Sequence, residues 1–265
     1  NDNSQGEFYL TDCIGALTKS GATIVTVEAK DHRDVMGINN RVELAAARAI
    51  LQQRILVQHM LAGVTIVDPS NTYIDVAVKI EPDTTVHPQT HLQGRTAIGR
   101  GCIIGPNSFI ANSSIADNAE VVQSQVKDSI VGESVTVGPF AHLRGSTVVE
   151  QGARVGNFVE MKNTRMGRGA KASHLSYLGD AEIGEQTNIG AGTITCNYDG
   201  KKKHKTKIGK KVFIGSNSSL RAPIEIGDDA VTGAGSVVLH DVPAGERVAG
   251  NPARSLKKKG AAEPT

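Results

Sequence analysis

Residues 155–199 contain six polar side chains of types that bind substrates and move protons. They are Lys162, His174, Tyr177, Asn188, Asn197 and Tyr198. An imidazole accepts a proton near neutral pH, and it can therefore activate an amine as a nucleophile. Lys162, together with the upstream Arg144, suits a phosphate because lysine supplies a point charge and arginine a bidentate donor. The stretch predicts a site in which His174 is the general base.

The same residues also have plain structural explanations. A lone histidine is more often structural or exposed, and we assign no role to seven of the eight histidines. These are His32, His59, His87, His91, His142, His204 and His240. Two cations on one surface are usually solvated and unrelated. That explanation weakens here because a histidine, a tyrosine and an amide-rich segment fall close to them in sequence.

The elements that must position these side chains are set by a six-residue repeat. Aliphatic residues recur at Ile74, Ile80, Val86, Leu92, Ile98, Ile104 and Ile110, and the register resumes at Val131, Val137, Leu143, Val149, Val155 and Met161. After two one-residue slips and an insertion it continues to Val238. A period of six predicts an all-β fold, a parallel β-helix with three faces and about 18 residues per coil. The narrow interior explains the aromatic content of only 3%.

The register places side chains relative to one another. Arg144 and Lys162 each follow an aliphatic residue and are 18 positions apart, so they occupy equivalent places on adjacent coils. Tyr177 lies near the same edge one coil further on, and His174 is within about 10 Å of it along the chain. We therefore expect Arg144, Lys162 and Tyr177 to line one edge of the prism, with His174 just behind it.

The regions outside the repeat suggest further divisions. Residues 1–40 have an α/β pattern, with a helix start at QGEFYLTD and a β-rich run at 22–29, and they are too short to be a closed α/β domain. We predict that they are the end of a larger domain. A linker helix at 41–63, running from about Arg41 to Met60, follows a cap at Asn39 or Asn40. The β-helix is predicted at 64–240, and a tail that leaves the repeat at 241–265.

A lysine-rich insertion at 195–207 interrupts the repeat. It is either a lid that supplies phosphate contacts, to the site of its own subunit or of a neighbouring one, or a flexible basic loop. For Lys257 to Lys259 we favour a solvated tail over a phosphate-binding role.

Composition limits the function classes. The formal net charge of +2 and the absence of an aromatic ladder argue against nucleic-acid binding. No apolar run approaches the roughly 20 residues of a membrane span. Three widely spaced cysteines predict reduced thiols and a cytoplasmic protein.

The motifs VGPFAHLR, VGNFVEMKN and SHLSYLGDAEIGEQTNIGAGTITCNYDG resemble the bacterial bifunctional glucosamine-1-phosphate acetyltransferase and N-acetylglucosamine-1-phosphate uridyltransferase. QGEFYLTD and GINNR are similar to the end of that family's nucleotidyltransferase (pyrophosphorylase) domain. The resemblance implies a left-handed β-helix and a homotrimer with sites between subunits. It implies acetyl transfer from acetyl-CoA to glucosamine 1-phosphate, on the way to UDP-N-acetylglucosamine for peptidoglycan and lipopolysaccharide. It also implies that this chain lacks uridyltransferase activity, which needs Mg²⁺.

The resemblance also assigns site residues. It makes His174 the base and gives the sugar phosphate to Arg144, Lys162, Tyr177, Asn188 and Lys203. It gives acetyl-CoA to Ala191, Asn197, Tyr198, Ser216 and Ala234. The chain departs from the family pattern after Val238, and Arg254 is our choice for a late CoA-binding arginine. Asn39 corresponds to a metal ligand of the uridyltransferase.

For the chemistry we expect direct attack of the amine on the thioester, with the oxyanion held by backbone N–H groups in 188–193 or by the Asn197 amide. Cys196 is a weaker candidate for a covalent nucleophile. Three other functions stay open: a hexapeptide-repeat acyltransferase on another amino sugar, a zinc carbonic anhydrase that uses His87, His91, His142 and His174, and a non-catalytic scaffold.

Overall fold

The computed structural model describes residues 6–256. Its contacts divide the chain into two units, at 1–50 and 51–265. The division falls inside a helix, so the predicted domain boundaries at 40 and 63 stay predictions. Each unit is described below by itself.

The described part of the first unit has little regular structure before residue 41. It contains one α-helix, α1 at Asp12–Lys19, and a short 3₁₀ helix at His32–Val35. The prediction of a strand at 22–29 was wrong, since none of these residues is in a strand. β-branched residues form a strand only beside a hydrogen-bonding neighbour, and residues 6–40 contain no second strand. Val25 and Val27 are exposed at 78% and 92%.

The predicted helix is present as α2, Arg41–Leu61. Of the two proposed caps, Asn40 is the one used, because its Oδ1 accepts the N–H groups of Val42 and Glu43, both at 3.0 Å. Glu43 in turn accepts the N–H of Asn39 at 2.5 Å, which satisfies a further donor before the first turn.

The second unit is a left-handed parallel β-helix, which confirms the predicted fold class. Its short strands form three faces, named here A, B and C in the order in which the chain visits them. Face A contains Thr65–Ile66, Thr85–Val86, Ile103–Ile104, Glu120–Val121, Thr136–Val137, Asn188–Ile189, Phe213–Ile214, Val231–Thr232 and Arg247–Gly250. Face B contains Thr72–Ile74, Thr90–Gln93, Phe109–Ala111, Gln125–Lys127, His142–Arg144, Ile194–Cys196, Ser219–Arg221 and Val237–Val238. Face C contains Lys79–Ile80, Ala97–Ile98, Ser114–Ile115, Ile130–Val131, Val148–Val149, Arg165–Met166, Ala181–Ile183, Thr206–Ile208 and Ile224–Ile226.

The core consists of three stacks of inward side chains, one for each face. The face B stack shows the pattern, since Leu92, Leu143 and Leu178 are all 0% exposed. Cα pairing joins Leu143 to Met161 and Met161 to Leu178, steps of 18 and 17 residues. The predicted one-residue slip between Met161 and Met166 is therefore confirmed. Burial of this aliphatic ladder is the main stabilising term of the unit.

The tail departs from the prediction. Val242 pairs with Ile226, and Arg247–Gly250 pairs in parallel with the strand at Val231–Thr232, so the prism continues beyond residue 240. The chain then turns back, and Ala253–Ser255 pairs antiparallel with Arg247–Gly250. Val248 supplies the inward side chain of this last coil at 7% exposure, which is why the segment stays on the stack. Lys257 to Lys259 lie outside the described residues.

Candidate active site

Two long strands carry the chain around the corner between faces A and B. Arg154–Lys162 and Lys171–Gly179 span nine residues each, whereas most other strands have two or three. They pair along their whole length, and Asn157 lies opposite His174. A side chain at Gly156 would collide with the Ser173 carbonyl, so the close approach of the strands at this corner requires glycine there. The paired strands therefore set the positions of the residues on this corner relative to one another.

His174 lies exposed on this corner and is held by one neighbour. Its Nδ1 is 2.7 Å from Oδ1 of Asn157. Because an amide oxygen only accepts, Nδ1 carries the proton, and Nε2 presents its lone pair to solvent. This is the tautomer that a general base on an open surface needs.

Three residues occupy the position of His174 on later coils. Ala191, Ser216 and Ala234 each lie two residues after an inward residue of face A, as His174 does after Ala172. Backbone hydrogen bonds join these positions on successive coils; for example, the Asn217 N–H donates to the Ala191 oxygen at 2.7 Å. Within residues 6–256, no protein group accepts the N–H of Ala191, Ser216 or Ala234. The corner thus presents a row of free donors in line with His174.

Face B brings the two predicted cations together. Arg144 lies opposite Lys162, as the register predicted, and Lys162 lies opposite Gly179. The Arg144 guanidinium binds Oε1 of Glu160 through Nε at 2.9 Å and a terminal nitrogen at 2.6 Å. Glu160 stands in the neighbouring column, between His142 and Tyr177. Burial, opposed by the charge of Glu160, lowers the pKa of His142.

Tyr177 uses space that Gly179 leaves open. An ideal Cβ on Gly179 would lie 2.5 Å from the Tyr177 hydroxyl and 2.7 Å from Nδ2 of Asn197. The tyrosine hydroxyl therefore sits over the glycine, in the column that contains Lys162. Asp180 accepts hydrogen bonds from Nδ2 of Asn197 at 2.6 Å and from Nδ2 of Asn163 at 3.0 Å, and these bonds fix the two amide side chains below Tyr177.

The fifth predicted substrate residue, Lys203, arrives from the insertion. Contact with the Lys203 ammonium, followed by its charge, lowers the pKa of Lys162. Two like charges in contact favour loss of a proton from one of them and attract any anion that binds between them. Arg144, Lys162 and Lys203 therefore make one cationic site beside Tyr177. The insertion is ordered by its own hydrogen bonds rather than being a loose basic loop.

The remaining predicted residues are placed differently. Asn188 lies on face A, and Tyr198 is 61% exposed on the insertion. Asn197 was expected on an extruded loop, but it is only 6% exposed because its amide binds Asp180. Arg254 is exposed on the last hairpin, where its guanidinium donates to the adjacent Ala253 oxygen at 3.1 Å. Cys196 is exposed as a residue, but partial burial of its thiol raises the pKa of that thiol, which disfavours the thiolate.

Sequence reasoning missed Asn157, Glu160 and Asp180. The signal for Asn157 was present, because it stands two residues after inward Val155, as His174 stands two after Ala172. Glu160 shows the same kind of signal, since it lies two residues before Lys162 as Tyr177 lies two before Gly179. Asp180 gave no such signal, because its role as an acceptor depends on the direction of the Asn197 side chain, which the repeat does not specify.

The assignment of Asn39 as a metal ligand stays a prediction. The N–H of Asn39 is bonded to Glu43, and within residues 6–256 no three His, Cys, Asp or Glu side chains come close enough to hold a metal ion. The described residues therefore contain no such cluster for the zinc alternative either. No helix in the described chain is long and apolar enough to cross a membrane.

Comparison with known proteins gives two family models. Residues 74–167 match the GMPPB C-terminal domain, and residues 205–240 match the bacterial transferase hexapeptide family of six repeats. Among solved structures, the UDP-N-acetylglucosamine acyltransferase of Francisella novicida aligns with a TM-score of 0.48 and 13% identity, over 74% of this chain and 71% of that one.

Curated relatives are far more similar in sequence. The bifunctional protein GlmU of Pelobacter propionicus is 50% identical over 92% of this chain, which covers 54% of that protein. GlmU of Fervidobacterium nodosum is 49% identical over 98% of this chain and 56% of its own length. The chain thus spans about half the length of these relatives. With identity at this level over nearly all of its residues, the chain belongs to the GlmU family.

Proposed function

We propose that this chain transfers the acetyl group of acetyl-CoA to the amine of glucosamine 1-phosphate, as a step towards UDP-N-acetylglucosamine and the cell wall. The observation that carries the proposal is the Asn157–His174 pair at 2.7 Å. The two strands that form this pair continue onto face B, where Lys162 lies beside Arg144 and Lys203. A base next to a phosphate site suits an amino sugar phosphate. Membership of the GlmU family supports the same conclusion.

In this mechanism Arg144, Lys162 and Lys203 hold the phosphate, and Tyr177 and Asn188 hold the sugar. The amine nitrogen attacks the thioester carbonyl carbon while Nε2 of His174 takes its proton. The C–S bond then breaks, and the imidazolium returns the proton to the leaving thiolate. A thioester is already activated, so no covalent enzyme intermediate is required.

In this proposal, acetyl-CoA lies along the row of residues that follow His174 on successive coils at the corner between faces A and B. Ala191, Ser216 and Ala234 donate their N–H groups to its pantetheine arm, and Tyr198 and Arg254 contact the rest. The N–H of Ala191 is our candidate for the oxyanion donor, because it follows His174 by one coil and has no acceptor among the described residues. The Asn197 amide is a poor candidate for the oxyanion donor, since it donates to Asp180. We assign Asn197 to the part of the site that binds acetyl-CoA.

Assembly and location belong to the same proposal. We infer a homotrimer with sites shared between subunits. A cytoplasmic location is supported by three free cysteines.

A coupled assay for free CoA tests the reaction. Glucosamine 1-phosphate, glucosamine 6-phosphate and unphosphorylated glucosamine are compared at equal acetyl-CoA. We expect the highest kcat/KM with glucosamine 1-phosphate. A preference for another amino sugar would favour the alternative hexapeptide-repeat acyltransferase, and failure to bind acetyl-CoA in calorimetry would favour a scaffold.

A further inference from the structure

The insertion forms a small hairpin, here called the lysine hairpin and defined as residues 197–204. It leaves face B after Ile194–Cys196 and returns to face C at Thr206–Ile208. Its arms are joined by the His204 N–H to the Asn197 oxygen at 2.8 Å and by an antiparallel bridge between Tyr198 and Lys203. It therefore has a defined backbone even though it stands out from the prism.

One carboxylate organises this hairpin. Asp199 is the only acidic residue between 199 and 211, a stretch with seven lysines. Its Oδ1 accepts the backbone N–H groups of Lys201 and Lys202, both at 2.7 Å, and its Oδ2 is 2.7 Å from Nε2 of His204. The bonds from Lys202, His204 and Lys201, in that order, hold the pKa of Asp199 well below its usual range.

Lys203 lies between two of these partners in sequence. Asp199 fixes Lys202 before it and His204 after it, so the backbone of Lys203 is restrained from both sides. Its ammonium reaches Lys162, where the two like charges repel when no anion is present. A loose hairpin would relieve this repulsion by swinging away. The restraint from Asp199 opposes that motion.

We propose that Asp199 is a positioning residue, whose carboxylate holds the lysine hairpin so that Lys203 stands beside Lys162 before the phosphorylated substrate binds. The inference rests on the proposed function for the identity of that substrate. Binding energy that would otherwise order the hairpin is then available for affinity.

The variants Asp199→Ala and Asp199→Asn test the proposal. For Asp199→Ala we expect the KM for glucosamine 1-phosphate to rise on the order of tenfold, while kcat stays within about twofold. The KM for acetyl-CoA should rise by a clearly smaller factor, because in the proposed site only Tyr198 of the same hairpin contacts the free end of that molecule. Asp199→Asn keeps one acceptor oxygen but loses the charge, so its KM should be intermediate. An unchanged KM for the sugar phosphate, or an equal rise for acetyl-CoA, would overturn the proposal.

A double-variant comparison separates positioning from a direct role. If Asp199 acts through Lys203, Asp199→Ala combined with Lys203→Ala should have the same KM as Lys203→Ala alone. Multiplied effects would contradict this. Glu182→Gln is the matched control, because Glu182 pairs with Lys205 at 3.0 Å just after the hairpin and should leave the KM near the wild-type value.

A binding experiment keeps this inference separate from the proposed reaction. If the wild-type protein does not acetylate glucosamine 1-phosphate, the proposed function fails. Broadening of the ³¹P line of inorganic phosphate, which needs no turnover, then reports the anion site. Broadening by the wild type but much less by Asp199→Ala supports positioning, and equal broadening, or none by either, overturns it.

Discussion

The imidazole of His174 depends on one neighbour for its tautomer and its direction. Asn157, one coil earlier, accepts the Nδ1 proton, so Nε2 is the basic atom. The two residues are 17 positions apart, and only the pairing of two long strands brings them together. The geometry of the proposed general base therefore depends on the coil register as much as on the histidine itself.

We predict that His174→Ala lowers kcat for acetyl transfer by about 10²- to 10⁴-fold, because the amine loses its proton acceptor. Single-turnover kinetics measure the effect, and circular dichroism should show an unchanged β-helix since the side chain is exposed. Asn157→Leu should cost less, because the base remains and only its orientation is lost. Near-normal transfer by His174→Ala would exclude it as the base.

The contact between Lys162 and Lys203 predicts a pH dependence of substrate binding. The neighbouring ammonium lowers the pKa of Lys162, so this lysine loses its charge at a lower pH than an isolated lysine does. The KM for the sugar phosphate should therefore rise with pH before the ordinary lysine value is reached. Lys203→Ala should move that rise to higher pH, although its KM is larger throughout. A profile with the same onset in both proteins would show that the two lysines do not interact.

The strand that ends at Gly179 shows how an element shapes the site by what it lacks. Its last residue has no side chain, and the Tyr177 hydroxyl and the Asn197 amide fill the space above it. The equivalent positions one and two coils earlier carry Lys162 and Arg144. This column of outward residues thus has two charged side chains followed by a glycine, and the Tyr177 hydroxyl occupies the space above that glycine.

We predict that Gly179→Ala displaces the Tyr177 ring and lowers kcat/KM for the amino sugar phosphate on the order of 10- to 100-fold. An added Cβ would be 2.5 Å from the tyrosine hydroxyl, too close for either group to stay. Steady-state kinetics provide the measurement. Gly15→Ala in α1, which meets nothing within 4 Å, is the control and should retain wild-type kinetics. Equal kinetics for both variants would mean that Tyr177 does not hold the sugar.

The β-helix as a whole is stabilised by stacking of neighbours. Each inward residue is covered by the equivalent residues of the coils before and after it, so the interior is a continuous aliphatic column. Small polar residues such as Thr84, Thr90 and Thr96 are buried between these columns. The site on the surface depends on the spacing that this packing sets.

We predict that Ile104→Ala lowers the free energy of unfolding by about 2–5 kcal/mol, since the side chain is fully buried and leaves a cavity. Ile103→Ala is the matched control on the same strand, because Ile103 is 45% exposed and should cost much less. Urea denaturation measures both. Similar losses from the two variants would contradict the assignment of inward and outward positions.

The repeat made most of the fold predictable. Residues from Ile74 to Ile110 are buried as their spacing predicted, and the pairing of Arg144 with Lys162 followed from the same count. The failures lie where the repeat gives no information. The run at 22–29 has strand-forming residues without a partner strand, and the segment after 240 continues the stack despite its irregular spacing.

The sequence by itself determined the six-residue period, the inward side chains and the edge on which Arg144, Lys162 and Tyr177 lie, because a stacked coil converts a sequence interval directly into a position. Only the tertiary structure decided which neighbours these residues have. Asn157 orients His174, Asp180 withdraws Asn197 from the surface, and Asp199 orders the hairpin that brings Lys203 to Lys162. Such contacts depend on side-chain direction and on the path of an inserted loop, and neither follows from a repeat.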